Sequence, residues 1–401
     1  AGDWDLAYTP RSKVLHCVQD DSAGMTALLS HGLGSGLVGL AVAYVVAAAL
    51  TPLGIRVAKR LGILDHPIGD KIHAKATPLL GGVPIALAFI VIAAFFPGLE
   101  RPWQNHALGG LLAGCLAATI LGIVDDKLRL KPLWHLFGQV LVVVAAIAAG
   151  FPVVSEISNP LVAVSGTSVA SVNLAQAIGP TLALVAGSLF TLFWLVGMMN
   201  TVNFLDGLDG LAGGVCAIAA LFLCLWAVVV VREGYPPTHD NQNVVLPLIL
   251  CGAIGGFLVF NWAPARVFMG DSGAMFLGFT LGALSIFGPV KLGTAMLVLV
   301  VPVVDVAWAI ARRLLSRRSF MAGDKQHIYH RLLHLGWSRR QVVLTFYGAT
   351  IVLGLLDLEF VKVQKLIVLS IVAAAAVALA VLVELRGRAA QARLDLAPKK
   401  L

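Results

Sequence analysis

The chain has 401 residues, 59% of them hydrophobic and 12% charged, with a formal net charge of +8. A mean hydropathy of +0.89 lies far outside the soluble globular range and excludes a water-soluble domain of ordinary composition. Five scattered cysteines with no C-x-x-C pair exclude a disulfide framework or a thiolate zinc site.

Residues 1–24 are polar and patternless, and Met25 leads into the first apolar stretch. The segment 1–24 therefore reads as vector-derived or as an over-extended start, 25–385 as one transmembrane catalytic unit, and 386–401 as a basic tail. Apolar runs near or above ~18 residues, each long enough to cross a bilayer, then recur. They lie near 33–53, 79–97, 106–123, 133–150, 180–199, 211–231, 244–260, 274–289, 292–311, 342–358 and 365–384. This pattern predicts an all-α polytopic membrane protein with about eleven transmembrane helices, because a backbone in lipid must satisfy its own hydrogen bonds. Let the connections after the odd-numbered helices and the C-terminal tail share one side. That side then holds 22 of the 29 lysines and arginines, which makes it cytoplasmic and leaves the N-terminus outside. The excess positive charge faces anionic lipid and requires no nucleic acid as partner.

The connections on the outer side are chemically poor. The longest, 151–178, alternates valine with small polar residues and reads as a small hairpin or a plain connector. The inner connections differ. "DHPIGDKIHAKATPLLGG" carries Asp65, Asp70, Lys71, His73 and Lys75; "GIVDDKLRLKP" carries Asp125 and Asp126. "NTVNFLDGLDG" spaces Asn200, Asn203, Asp206 and Asp209 three apart, and "FNWAPARVFMGDSGAMFLG" brings Asn261, Phe268 and Asp271 around a Gly-Asp-Ser-Gly turn. The last, "DKQHIYHRLLHLG", adds His327, His330 and His334.

Each group also has a plainer reading. Asp125 and Asp126 could cap a helix or pair with Lys127 and Arg129, and the 200–209 ladder could be polar glue between helices. His327 and His330 could sit on a solvated helix face, and Lys71 and Lys75 could be simple inner-side charges. Against this, carboxylates at membrane segments are costly and mark function, and all five groups fall on one face. "GSGLVG" at 34–39 matches a dinucleotide fingerprint but opens a membrane helix with no preceding strand, so helix packing explains it. There is no Walker A sequence.

Several aspartates, amide oxygens and lysines suit a hard cation, Mg²⁺ or Mn²⁺, which takes one or two carboxylates and completes its shell with phosphate and water. A phenylalanine beside a Gly-Asp turn offers a stacking face for a base. These residues together suggest phosphoryl transfer from a nucleotide diphosphate donor to a membrane acceptor.

The same five segments, in this order and on this side, resemble the cytoplasmic motifs of the polyprenyl-phosphate N-acetylhexosamine-1-phosphate transferases, over about residues 50 to 340. The last segment resembles the branch that uses UDP-N-acetylglucosamine. The resemblance implies transfer of N-acetylglucosamine-1-phosphate from that donor to undecaprenyl phosphate, with release of UMP, by a homodimer in a bacterial inner membrane. It implies that Asp271, helped by Asn203, holds Mg²⁺, and that Asp125 and Asp126 lie near the lipid phosphate. Asp206, Asp209 and Phe268 match positions associated with the uridine or the metal-diphosphate, and His327 and His330 match the segment that reads the sugar and its phosphate. Lys71 and His73 match basic positions of the first motif. The candidate catalytic carboxylates are thus Asp125, Asp126, Asp206 and Asp271, with Asn200 and Asn261 joining the substrate-binding set. The chain departs from the pattern at Asp70, Ala76, His135 and Tyr329, and Tyr329 bears on the choice of sugar. N-acetylgalactosamine, N-acetylfucosamine and muramoyl-pentapeptide donors stay open. An ion-coupled transporter is disfavoured by the absence of an internal repeat and by polar groups at helix ends rather than the bilayer midplane.

Overall fold

The computed structural model describes residues 32–66, 76–97, 99, 101–158, 171–232, 242–287, 291–315 and 327–359, with isolated positions after 366. Helix α1 (Gly34–Leu61) stops at Gly62, whose left-handed φ of 69° lets its amide return to the Ala58 carbonyl. Strand β1 (Leu64–Asp65) pairs antiparallel with β2 (Thr77–Pro78), and α2 (Gly82–Phe95) follows. Helix α3 (His106–Leu128) begins at Asn105, whose side chain accepts from the Leu108 amide at 3.0 Å. Pro132 opens α4 (Pro132–Ala148), where its fixed φ suits the first helical position. Strands β3 (Glu156–Ser158) and β4 (Ser171–Asn173) pair antiparallel, which favours the hairpin over the plain connector for this stretch, and β4 leads into α5 (Leu174–Ile178). Helix α6 (Pro180–Leu205) also starts on a proline. The remaining helices are α7 (Leu211–Arg232), α8 (Gln242–Asn261), α9 (Gly270–Ile286), α10 (Lys291–Val298), α11 (Val300–Leu315), α12 (Ile328–His334) and α13 (Arg339–Glu359).

Six described helices are long and apolar enough to cross a bilayer: α1, α3, α6, α7 over 211–229, α8 and α13. The α10–α11 pair makes a seventh if counted as one span, bent by 74° at its break. The protein is therefore a polytopic membrane protein. Each apolar stretch expected between 33 and 358 coincides with helix, but three are short: α2 has 14 residues, and α4 and α9 have 17 each, below the ~20 that cross the hydrocarbon core. The expected span 292–311 is not one straight helix. Pro302 offers no N–H to the Val298 carbonyl and its ring crowds that carbonyl, so the helix breaks at Leu299. The expected span 365–384 lies outside the described residues except at isolated positions, as do residues 1–24 and the tail from 386.

Helix α9 occupies the middle of the bundle. Every residue from Ser272 to Ser285 is buried, the pattern of a helix surrounded on all sides, and it packs against α2, α3, α6 and α7. Peripheral helices show the reverse, with Leu182, Leu184, Leu189 and Phe193 of α6 exposed as a lipid-facing side would be. Close approach around α9 depends on missing side chains. Gly122 of α3 lies against the backbone of Asp271 and Ser272, and Gly82 at the start of α2 lies against the backbone of Gly273. Three helix ends therefore meet at the first turn of α9.

An added methyl at Gly122 would enter backbone that cannot move aside. Gly122→Ala should destabilise the protein by about 1–3 kcal/mol, read as a lower thermal unfolding midpoint in detergent. Gly197→Ala on α6, which meets nothing within 4 Å, should leave the midpoint unchanged. Equal midpoints for the two variants would refute the tight α3–α9 contact.

Candidate active site

Asp125 and Asp126 occupy the last turn of α3, where a carboxylate opposes the helix dipole. The two side chains resolve this differently. Asp126 reaches the first turn of α9 and accepts from the amides of Asp271 at 2.8 Å and Ser272 at 3.1 Å. A carboxylate at the unfavourable end of its own helix thus serves the favourable end of another. Asp125 accepts from the Leu130 amide at 2.7 Å and pairs through its other oxygen with His135 Nδ1 at 2.8 Å. His135 sits in the first turn of α4, so Asp125 ties two helices at their shared connection.

Asp271 is the first acidic residue of α9. Its carboxylate accepts a short hydrogen bond from the Asn203 amide and lies within hydrogen-bonding reach of Asp125. Asp206 follows at the C-cap of α6. Burial first, and then the Asp271 and Asp209 carboxylates, push its carboxyl up to about 7. Asp125, Asn203, Asp206 and Asp271 therefore form one acidic group, with Asp126 fixing the backbone that carries Asp271.

The helical ladder expected over 200–209 does not continue. Helix α6 ends at Leu205, and 206–210 form turns before α7. Asn200 faces away from the group, donating to Gln139 Oε1 and to the Val196 carbonyl, both at 2.8 Å. Asp209 accepts from the Ala265 amide at 3.0 Å. Asn261 accepts from the Gly210 amide at 2.9 Å and donates to the Val267 carbonyl at 2.8 Å. The Tyr347 hydroxyl donates to the Gly210 carbonyl at 2.6 Å. Asn200, Asp209 and Asn261 thus make inter-element bonds, while Asn203 bonds the Asp271 carboxylate and Asp206 lies near it. Phe268 is half-buried beside Asp271 and anchored by its backbone, its amide donating to the Pro78 carbonyl at 2.8 Å and its carbonyl accepting from Gly81 at 3.0 Å. Lys71 and His73 lie outside the described residues.

His327 is buried and precedes α12. Its Nδ1 lies 2.8 Å from Asp305 Oδ2, and the ring stacks on Phe204 at 5.0 Å between centroids. Tyr329 lies between His327 and His330 in sequence and contacts both rings, at 6.1 Å and 4.3 Å. Burial, followed by the Asp206 and Asp305 carboxylates, raises the Tyr329 hydroxyl pKa. The histidine segment therefore adjoins the acidic group through Phe204 and Tyr329. Sequence reasoning overlooked Asp305 and Gln139 and noted His135 and Tyr329 only as departures. A lone carboxylate inside an apolar run was the available signal for Asp305.

Among the described residues no three His, Cys, Asp or Glu side chains form a metal-holding cluster. The oxygens of Asp125, Asn203, Asp206 and Asp271 nonetheless gather surplus negative charge, so the donor set fits a hard cation completed by substrate phosphate and water.

The family described as Glycosyl transferase family 4 matches residues 108–289. A decaprenyl-phosphate N-acetylglucosaminephosphotransferase of Mycobacterium tuberculosis is 30% identical over 353 residues, covering 81% of this chain and 83% of the relative. A probable undecaprenyl-phosphate N-acetylglucosaminyl 1-phosphate transferase of Bacillus subtilis is 28% identical over 325 residues, covering 79% and 83%. A phospho-N-acetylmuramoyl-pentapeptide-transferase of Desulforudis audaxviator is 32% identical over 352 residues, covering 81% and 98%.

The Asp126 clasp makes a graded prediction. Asp126→Ala removes both acceptors from the first turn of α9 and should cost about 0.5–2 kcal/mol of stability, measured as the unfolding midpoint in detergent. Asp126→Asn keeps one acceptor and should lose less. A midpoint for Asp126→Ala equal to wild type would show that the clasp does not hold α9.

Proposed function

The chain belongs to the polyprenyl-phosphate N-acetylhexosamine-1-phosphate transferase family; we propose that it transfers N-acetylglucosamine-1-phosphate from UDP-N-acetylglucosamine to undecaprenyl phosphate. An oxygen of the lipid phosphate attacks the β-phosphorus of the donor. One P–O bond forms, the bond from the β-phosphorus to the bridging oxygen breaks, and UMP leaves with the electron pair. The observation that carries this reading is the convergence of Asp125, Asn203, Asp206 and Asp271 at the meeting point of α3, α6 and α9. The relatives named for N-acetylglucosamine support that sugar, and the relative named for the muramoyl-pentapeptide keeps a second donor in view. Family membership displaces the transporter reading. The arrangement of basic residues supports a cleft facing the cytoplasm of a bacterial inner membrane, with about eleven spans once the residues outside the described set are included. By resemblance the reading extends to a homodimer.

Charge is the central problem of this reaction. A phosphate monoester has a second pKa near ~6 and is already mostly dianionic at neutral pH, so it hardly needs a base. It must instead approach another anion. Asp271 and Asn203 would hold Mg²⁺, which when bound neutralises charge on the diphosphate and on the departing UMP. Asp125 already accepts from Leu130 and pairs with His135, which supports an orienting role at the acceptor side. Asp126 sets the backbone of Asp271. His327 and His330 adjoin the sugar-phosphate side through Phe204 and Tyr329.

Purified protein with undecaprenyl phosphate, Mg²⁺ and a panel of UDP-sugars should release UMP fastest with UDP-N-acetylglucosamine, and EDTA should abolish the release. Preference for the muramoyl-pentapeptide donor would replace the sugar in this reading. Absence of UMP with every donor would overturn the reaction. Asp271→Asn should lose turnover together with its Mg²⁺ dependence, whereas Asp125→Asn should retain measurable turnover. Complete loss in Asp125→Asn, with donor and metal still bound, would make Asp125 a base or a nucleophile.

A further inference from the structure

We propose that Asp305 is a positioning residue that fixes the tautomer and ring orientation of His327 toward the donor's sugar-phosphate, an inference that rests on the function proposed above. Asp305 is a carboxylate within the apolar part of α11, residues 300–311, where such a group is expensive to keep. The break at Leu299 turns α11 away from the line of α10, and α11 packs on α6. A small cleft results, lined by Thr201, Phe204 and Leu205 of α6, by Pro302 and Asp305 of α11, and by Tyr329.

Within it one carboxylate holds two consecutive residues. Oδ2 engages His327 Nδ1 at 2.8 Å, and Oδ1 accepts from the Ile328 amide at 3.1 Å. The first bond sets the ring and the second sets the backbone that carries it. Phe204 and Tyr329 restrict the ring further, with interplanar angles of 29° and 6°. Phe204 immediately follows Asn203, so the helix end that contacts Asp271 also stacks on His327. The imidazole is therefore held in register with the acidic group rather than with its own short helix.

An ionised carboxylate only accepts hydrogen bonds. Nδ1 must then carry a proton, and Nε2 is the ring nitrogen that the carboxylate does not engage. Nε2 donates to an anionic oxygen when the ring is protonated and accepts from a sugar hydroxyl or amide when it is neutral. Both suit an N-acetylhexosamine phosphate. Asp305 touches no reacting atom in this scheme and acts entirely through His327.

The test uses full-length protein in detergent with ¹⁵N-labelled histidine, the His327 signal being assigned by its disappearance in His327→Gln. Wild type should show Nδ1 protonated. Asp305→Asn keeps an acceptor for the Ile328 amide but turns a donor toward the ring, and should shift His327 toward the Nε2-protonated form. UMP release should fall roughly 10- to 100-fold, by analogy with removal of a partner that orients a metal-binding histidine. Asp305→Glu should restore the tautomer and part of the turnover, which a purely structural role would not do. An unchanged tautomer in Asp305→Asn overturns the proposal whichever donor is used, as does full activity of His327→Ala. UMP release absent from wild type overturns the functional reading instead, and the tautomer still reports on the pair. Should Asp305→Asn fail to fold, the tautomer and turnover of Asp305→Glu decide the matter, and loss of both overturns the proposal.

Discussion

The first turn of α9 has to exist inside a medium that cannot solvate it. Its leading amides would otherwise be orphan donors beside a membrane, and each such group left unpaired costs several kcal/mol. Asp126 meets that requirement from 145 residues away, and the rest of the site depends on this bond. With the amides of Asp271 and Ser272 held, the Asp271 side chain is presented to Asn203 and Asp125. Gly122 and Gly82 let α3 and α2 come close enough for the clasp to form. Packing and polar satisfaction are here one constraint viewed from two sides.

The sequence made the membrane class legible because ~20-residue apolar runs are an unambiguous response to a bilayer. It made the acidic residues legible because charge beside such runs is rarely kept without use. Spacing alone misread the ladder at Asn200–Asp209. Three-residue spacing puts side chains on one face only while the helix lasts, and α6 ends at Leu205. Beyond that point the turn sends Asp209 to Ala265, while Asn200, earlier on the helix, binds Gln139 of α4. Pairings such as Asp126 with Ser272 or Asp305 with His327 join distant elements, and no periodicity encodes them. The break before α11 was readable in principle from Pro302, but an unbroken hydropathy signal across 292–311 masked it.

The polar residues divide by the work of their hydrogen bonds. Asn200, Asp209, Asn261 and Tyr347 join α4, α6, α8, α13 and the connections beside them through backbone groups and one side chain, so the loops around the site behave as a scaffold. Asn203 instead bonds the Asp271 carboxylate, with Asp125 within reach of it and Asp206 close enough to feel its charge. Like charges gathered in a partly buried place are unfavourable unless a cation or a basic ligand joins them.

That requirement bears on how an acidic group can receive two phosphates at all. In the functional reading, Asp271 and Asn203 would hold a divalent ion that offsets the charge of the donor diphosphate, while the Asp125–His135 pair borders the approach of the acceptor. Asp125 accepts from a backbone amide as well, so its lone pairs are directed before any substrate arrives. A base needs a free, well-aimed lone pair and a proton worth removing, and a dianionic phosphate offers no such proton. In that reading the same two bonds hold the Asp125 carboxylate in one orientation beside the approaching phosphate, which supports in-line positioning over proton removal. Alignment of that kind accounts for a large part of phosphoryl-transfer catalysis.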